Sequence, residues 1–135
     1  MNLTKEDKEL IQRAKDIIKK SKPAKLIDTS EVGSSLITLN GNIYSGVNLG
    51  FYCGIGSCAE YQAIGAMISN GEKDIKIIVA INDEGEVMPP CGKCREMMLQ
   101  TSKNNKNTEV IVSKSQKVRL KDLMPFAWGG TIEKK

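Results

Sequence analysis

The chain has 135 residues, 40% of them hydrophobic and 27% charged, the balance of one ordinary globular domain with a single buried core. Lysine and arginine outnumber acids 20 to 16, and the excess is spread along the chain rather than gathered into a patch, which argues against a nucleic-acid binder. The polar stretch from Met1 to Glu9 has no apolar core of a signal peptide, and the longest apolar runs, such as Ile77 to Ile81, fall far short of the ~20 residues that cross a bilayer. The expectation is a cytoplasmic protein with no membrane partner.

Thr4 is a helix cap, with Glu6 and Asp7 in the first turn, where negative charge suits the helix dipole. Leu10, Ile11, Ala14, Ile17 and Ile18 follow helical spacing, and Lys22-Pro23 ends that helix. Lys19, Lys20 and Lys22 read as a solvated helix end, and Lys134 and Lys135 as a solvated tail. Val32 to Leu39 reads as a strand, Asn40-Gly41 as a two-residue hairpin turn, and Ile43, Tyr44 and Val47 as the returning strand. Asn48 to Ser57 is a glycine-bearing loop. Ala59 to Ser69 is helical and stops at Asn70-Gly71. The unbroken β-branched run Ile77 to Ile81 predicts a buried central strand. Asp83 to Pro90 is a loop, Cys91 to Gln100 a helix, Ser102 to Asn107 a polar loop, Thr108 to Val112 a strand, and Leu120 to Met124 a short helical turn. A hairpin followed by strand–helix alternation predicts an α/β fold with a mixed sheet and helices on both faces.

Four cysteines without a secretion signal point to metal binding or catalysis rather than to disulfides. Histidine is absent, so a zinc site here must be built from thiolates and carboxylates. Two segments carry such chemistry: Cys58-Ala59-Glu60 and Pro90-Cys91-Gly92-Lys93-Cys94, each opening a predicted helix. Helix N-termini present free N–H groups and partial positive charge, which stabilise thiolates. A C-x-x-C pair sets two sulfurs within reach of one zinc at ~2.3 Å, and a third from Cys58 leaves the fourth coordination position open, as in catalytic zinc sites. Three thiolates on Zn²⁺ carry a net charge near minus one, which the helix ends and Lys93 or Arg95 can offset. Glu60 is placed to act on a water at that open position. A Cys₃ zinc with a non-ligating glutamate as general acid and base is the pattern of the zinc deaminases. A closed Cys₄ site that adds Cys53 is the structural alternative, and it leaves Glu60 without a role.

At these residues the chain resembles the cytidine deaminase superfamily, in particular its small homotetrameric nucleoside branch, and within it the blasticidin S deaminases. The resemblance runs from about Val32 to Trp128 and includes Val32-Gly33, the hairpin from Asn40 to Asn48, the strand Ile77 to Ile81 and Leu123-Met124-Pro125. It implies one three-layer α/β/α domain over residues 1–135 with a mixed central sheet of about five strands. It implies one zinc per subunit on Cys58, Cys91 and Cys94, and a proton shuttle at Glu60. It implies that Asn48 binds a sugar hydroxyl, that the Ala59 N–H and a carbonyl near Pro89 hold the pyrimidine edge, and that Trp128 covers the base in a neighbouring subunit of a homotetramer. The chain departs from the family at Gly50, where a ribose-binding glutamate is usual, at Ser30, where an aromatic packs on the ring, and at Tyr61, where an arginine bonds the thiolates.

The expected reaction is hydrolytic deamination of a small cytosine nucleoside, cytidine or deoxycytidine. The alternative substrate is a modified cytosine nucleoside such as blasticidin S. A nucleic-acid editing deaminase lacks material for a stacking groove, with two phenylalanines, three tyrosines and one tryptophan in the chain. A non-catalytic zinc-binding module is the reading from a different class.

Overall fold

Thr4 opens the first helix with a complete capping box: its hydroxyl accepts from the Asp7 N–H at 3.2 Å while the Asp7 carboxylate accepts from the Thr4 N–H at 2.7 Å. The computed structural model describes residues 1–24 and 27–131. Lys134 and Lys135 lie outside the described residues. Helix α1 spans Lys5–Ser21, α2 Ala59–Ser69 and α3 Gly92–Thr101. The strands are β1 Val32–Thr38, β2 Ile43–Val47, β3 Ile75–Asn82, β4 Val87–Met88, β5 Glu109–Ser113 and β6 Gln116–Arg119.

They form one six-stranded sheet in the order β2-β1-β3-β5-β6, with β4 on the end of β3. The β3–β5 pair is parallel and the other pairs are antiparallel, so the sheet is mixed. Helix α1 covers one face and α2 with α3 the other. The two-residue period of the strands sorts the core accordingly. Ile37, Ile77, Val79, Ile81 and Ile111 pack against Leu10 and Ala14 of α1. Leu36, Ile78 and Val110 pack against Ala63, Ile64 and Met67 of α2 and Met98 of α3. Ile75 joins the second group because Lys76 is an extra residue in β3: Ile37 faces Ile77, but Thr38 faces Ile75. The three-layer α/β/α expectation is met.

The hairpin differs from its expected form. The Gly41 N–H donates to the Thr38 carbonyl and the Thr38 N–H to the Asn42 carbonyl, both at 2.9 Å, which closes a three-residue loop with Gly41 at φ 87°. That is a type I turn with its glycine in the left-handed position, rather than a two-residue turn. Strands β4 and β6 fall where the sequence reads as loop or carries no signal. The stretch from Lys103 to Asn107 is a 3₁₀ helix rather than a polar loop. Its Asn105 is fully buried, accepting from the Ile75 N–H at 2.8 Å and donating to the carbonyls of Met98 and Lys73. Among the described residues no helix is long and apolar enough to cross a membrane.

A candidate metal centre

Three cysteines meet where α2 and α3 begin. Cys58 is the N-cap of α2 and Cys91 the N-cap of α3, and Cys94 lies in the first turn of α3. The sulfurs of the two cap residues face each other across the gap between the two helix starts. Helix α2 can lie this close to the sheet because Gly46 of β2 has no side chain: a Cβ there would stand 2.5 Å from the Gln62 Cβ.

The Cys58 and Cys91 sulfurs are 3.7 Å apart, and all three sulfurs lie within 4.8 Å of one another. Sulfurs bonded to one tetrahedral zinc at ~2.3 Å stand about 3.8 Å apart, so the trio fits that ion, and among the described residues no fourth cysteine or carboxylate joins the group. Cys53 lies outside this cluster, exposed in the 3₁₀ turn Tyr52–Gly54 with φ 63°. Burial pushes the Cys58 and Cys94 thiols up. Burial acts upward on Cys91 as well, but hydrogen bonds from the backbone and thiol of Cys94 and from Cys58 outweigh it and bring that thiol down.

Glu60 is 5% exposed in the first turn of α2, and burial raises its carboxyl above the ordinary glutamate value. A hydrogen bond to its own backbone N–H and one from Cys94 pull in the opposite direction. Glu60, Cys58 and Cys91 all open into one cavity of about 480 Å³. That size is within the range of small-molecule sites. Asn48, Ala59, Pro89 and Lys93 line it too, as do Phe51 and Met88. Sequence reasoning passed over the last two. Phe51 had one available signal, its place between Asn48 and Cys58 in the same loop; Met88 had none, since β4 itself was not legible.

The other expected residues are placed differently. Arg95 donates from Nε to the Pro90 carbonyl at 2.8 Å and from Nη1 to the Leu123 carbonyl at 3.2 Å, which braces the segment before α3 against the turn that ends at Leu123. Lys93 holds its Nζ 4.9 Å from the centroid of the Tyr61 ring. Trp128 is 63% exposed and, among the described residues, is outside the cavity lining, as is the buried Ser30. Asn48 is committed in large part to the backbone: its Oδ1 accepts from the N–H groups of Glu31 and Val32 at 2.8 Å each, and its Nδ2 donates to the Asp28 carbonyl at 2.9 Å. Gly50 is crowded by the same segment, since a Cβ there would lie 2.8 Å from the Asp28 carbonyl carbon.

Residues 4–112 match the profile of the family described as the cytidine and deoxycytidylate deaminase zinc-binding region. The chain is 36% identical over 108 residues to a Blasticidin-S deaminase of Bacillus cereus, covering 72% of this chain and 74% of that protein. It is 28% identical over 100 residues to a cytidine deaminase of Mycobacterium tuberculosis, covering 73% and 72%. The crystal structure of a cytidine deaminase from that organism superposes with a TM-score of 0.75 at 22% identity, over 90% of this chain and 95% of the other, and shares its fold.

Proposed function

Since the chain belongs to the cytidine and deoxycytidylate deaminase family and is a zinc-dependent hydrolytic deaminase, we propose that its substrate is a small cytosine nucleoside, converted to the uracil nucleoside with release of ammonia. The observation that carries the reading is the buried Glu60 in one cavity with Cys58 and Cys91, two of the three sulfurs that converge there. Cys58, Cys91 and Cys94 hold the zinc, which supplies Lewis-acid activation of a water nucleophile when bound. Glu60 takes a proton from the water whose oxygen adds to C4 of the ring and passes it to ring N3; it then takes the proton of the new C4 hydroxyl and delivers it to the amino group, which leaves as ammonia as the C4 carbonyl forms. One water enters and one ammonia leaves, and Glu60 returns to its starting state. Its burial suits this traffic, because a carboxyl raised toward neutrality both accepts and returns a proton. The free N–H groups at the start of α2, with Ala59 first among them, and a carbonyl near Pro89 hold the pyrimidine edge.

A modified cytosine nucleoside such as blasticidin S is the second reading. Crowding at Gly50 favours it, because the Asp28 backbone fills the space that a ribose-binding acid needs. The likeness to a Blasticidin-S deaminase points the same way. Ammonia release from cytidine, deoxycytidine, cytosine and blasticidin S, measured on zinc-loaded protein, decides. Turnover of cytidine and deoxycytidine supports the first reading, and turnover of blasticidin S alone the second. Silence of the zinc-loaded chain on all four overturns both substrate readings. The proposal also carries a cytoplasmic homotetramer in which the exposed Trp128 reaches a neighbour's site.

A further inference from the structure

Tyr61 directly follows Glu60 in the first turn of α2, and Lys93 stands between Cys91 and Cys94 in the first turn of α3. The Lys93 ammonium over the Tyr61 ring, 4.9 Å from its centroid, is in cation–π range. The contact therefore joins the starts of the two helices that supply the three sulfurs. Lys93 is also the cation among the described residues that line the cavity, which holds Cys58 and Cys91 as well. Three thiolates around a dication leave one negative charge in excess, so a fixed positive charge at this place lowers the electrostatic cost of assembling the centre. A lysine stem is flexible, and an aromatic face is what holds its ammonium in one position.

We propose that Tyr61 and Lys93 form a clamp that fixes the start of α2 against that of α3 and keeps a cation beside the thiolates, so that the pair sets how tightly the centre retains zinc. Both act as positioning residues. The inference rests on the zinc centre described above, but its readout is metal affinity. A chain that binds zinc and deaminates nothing still tests it.

The test is zinc affinity by chelator competition for the full chain and for Tyr61→Leu, Lys93→Met, the double variant, Tyr61→Phe and Lys93→Arg. Both removed groups sit at the surface, with Tyr61 45% exposed, and the two conservative variants control for packing. Each disruptive single variant is expected to weaken zinc binding about two- to fivefold. The double variant is expected to be no weaker than the worse single one, because both remove the same contact. Tyr61→Phe and Lys93→Arg restore affinity to near that of the unaltered chain, since ring face and cation survive. In cobalt-substituted protein, every variant is expected to retain the thiolate charge-transfer band, with only its titration midpoint displaced. Unchanged affinity in either single variant, additive losses in the double, failure of the conservative variants to rescue, or loss of the charge-transfer band in a clamp variant overturns the proposal.

Discussion

Asn48 uses both lone-pair directions of its amide oxygen on the N–H groups of Glu31 and Val32 and one amide hydrogen on the Asp28 carbonyl. A single amide hydrogen is left for a substrate hydroxyl. Asn48→Ala is therefore expected to lower stability by about 2 kcal/mol, read by urea denaturation, as well as turnover, because two backbone donors lose their acceptor. A purely substrate-binding residue would leave the denaturation midpoint unmoved. Gly50→Ala forces a methyl group against the Asp28 backbone. It is expected to cost about 1–3 kcal/mol in the same measurement. The sequence marks both positions, but not their common partner. Asp28 is some twenty residues upstream in an irregular turn, and no local pattern announces a contact of that kind.

At the scale of the elements, α2 and the β1–β2 hairpin are joined by one carboxylate. The helix ends in a pair of capping bonds, Gly71 N–H to the Ile68 carbonyl and Glu72 N–H to the Met67 carbonyl. This turn sends Glu72 to the hairpin, where it accepts from Asn40, Asn42 and the Tyr44 hydroxyl. Hydrogen bonding with Thr38, then Tyr44 and the asparagines, lowers its carboxyl to about 2 from an ordinary 4.5. A depressed folded-state value means that its stabilisation is present above the ordinary value and is lost as pH falls from 4.5 toward 2. Glu72→Gln is expected to melt at a lower temperature at neutral pH and to lose less on acidification across that window; parallel curves for the two proteins would contradict this. The stop at Asn70-Gly71 was legible from two residues, and α1 and α2 from their apolar spacing and caps. Strands β4 and β6 were not, since two to four residues show no period and their pairing is set by β3 and β5.

Across the whole molecule, the first helix is locked to the far edge of the sheet by a buried ion cluster. Lys117 of β6 lies 2.8 Å from Asp7 and 2.6 Å from Glu109, and Asp7 is fully buried. Lys117→Met leaves the Asp7 carboxylate buried without its cation, and urea denaturation is expected to show a loss of about 3–5 kcal/mol. A change below about 1 kcal/mol would mean that Asp7 takes up a proton at little cost. Layer architecture and metal trio were legible because each rests on local signals: alternation of elements, and two short cysteine motifs at helix starts. The ion cluster was not, because Asp7 reads as an ordinary first-turn acid and Lys117 as one of many lysines. In the proposed mechanism Glu60 moves protons beside a zinc that it does not bind. Zinc content and ammonia release, measured on the same samples of the unaltered chain and Glu60→Gln with whichever nucleoside turns over fastest, test it most directly. Equal zinc in both, with a rate at least about 10³-fold lower in the variant, is the expected outcome. Loss of zinc on substitution, or a rate close to that of the unaltered chain, would contradict it.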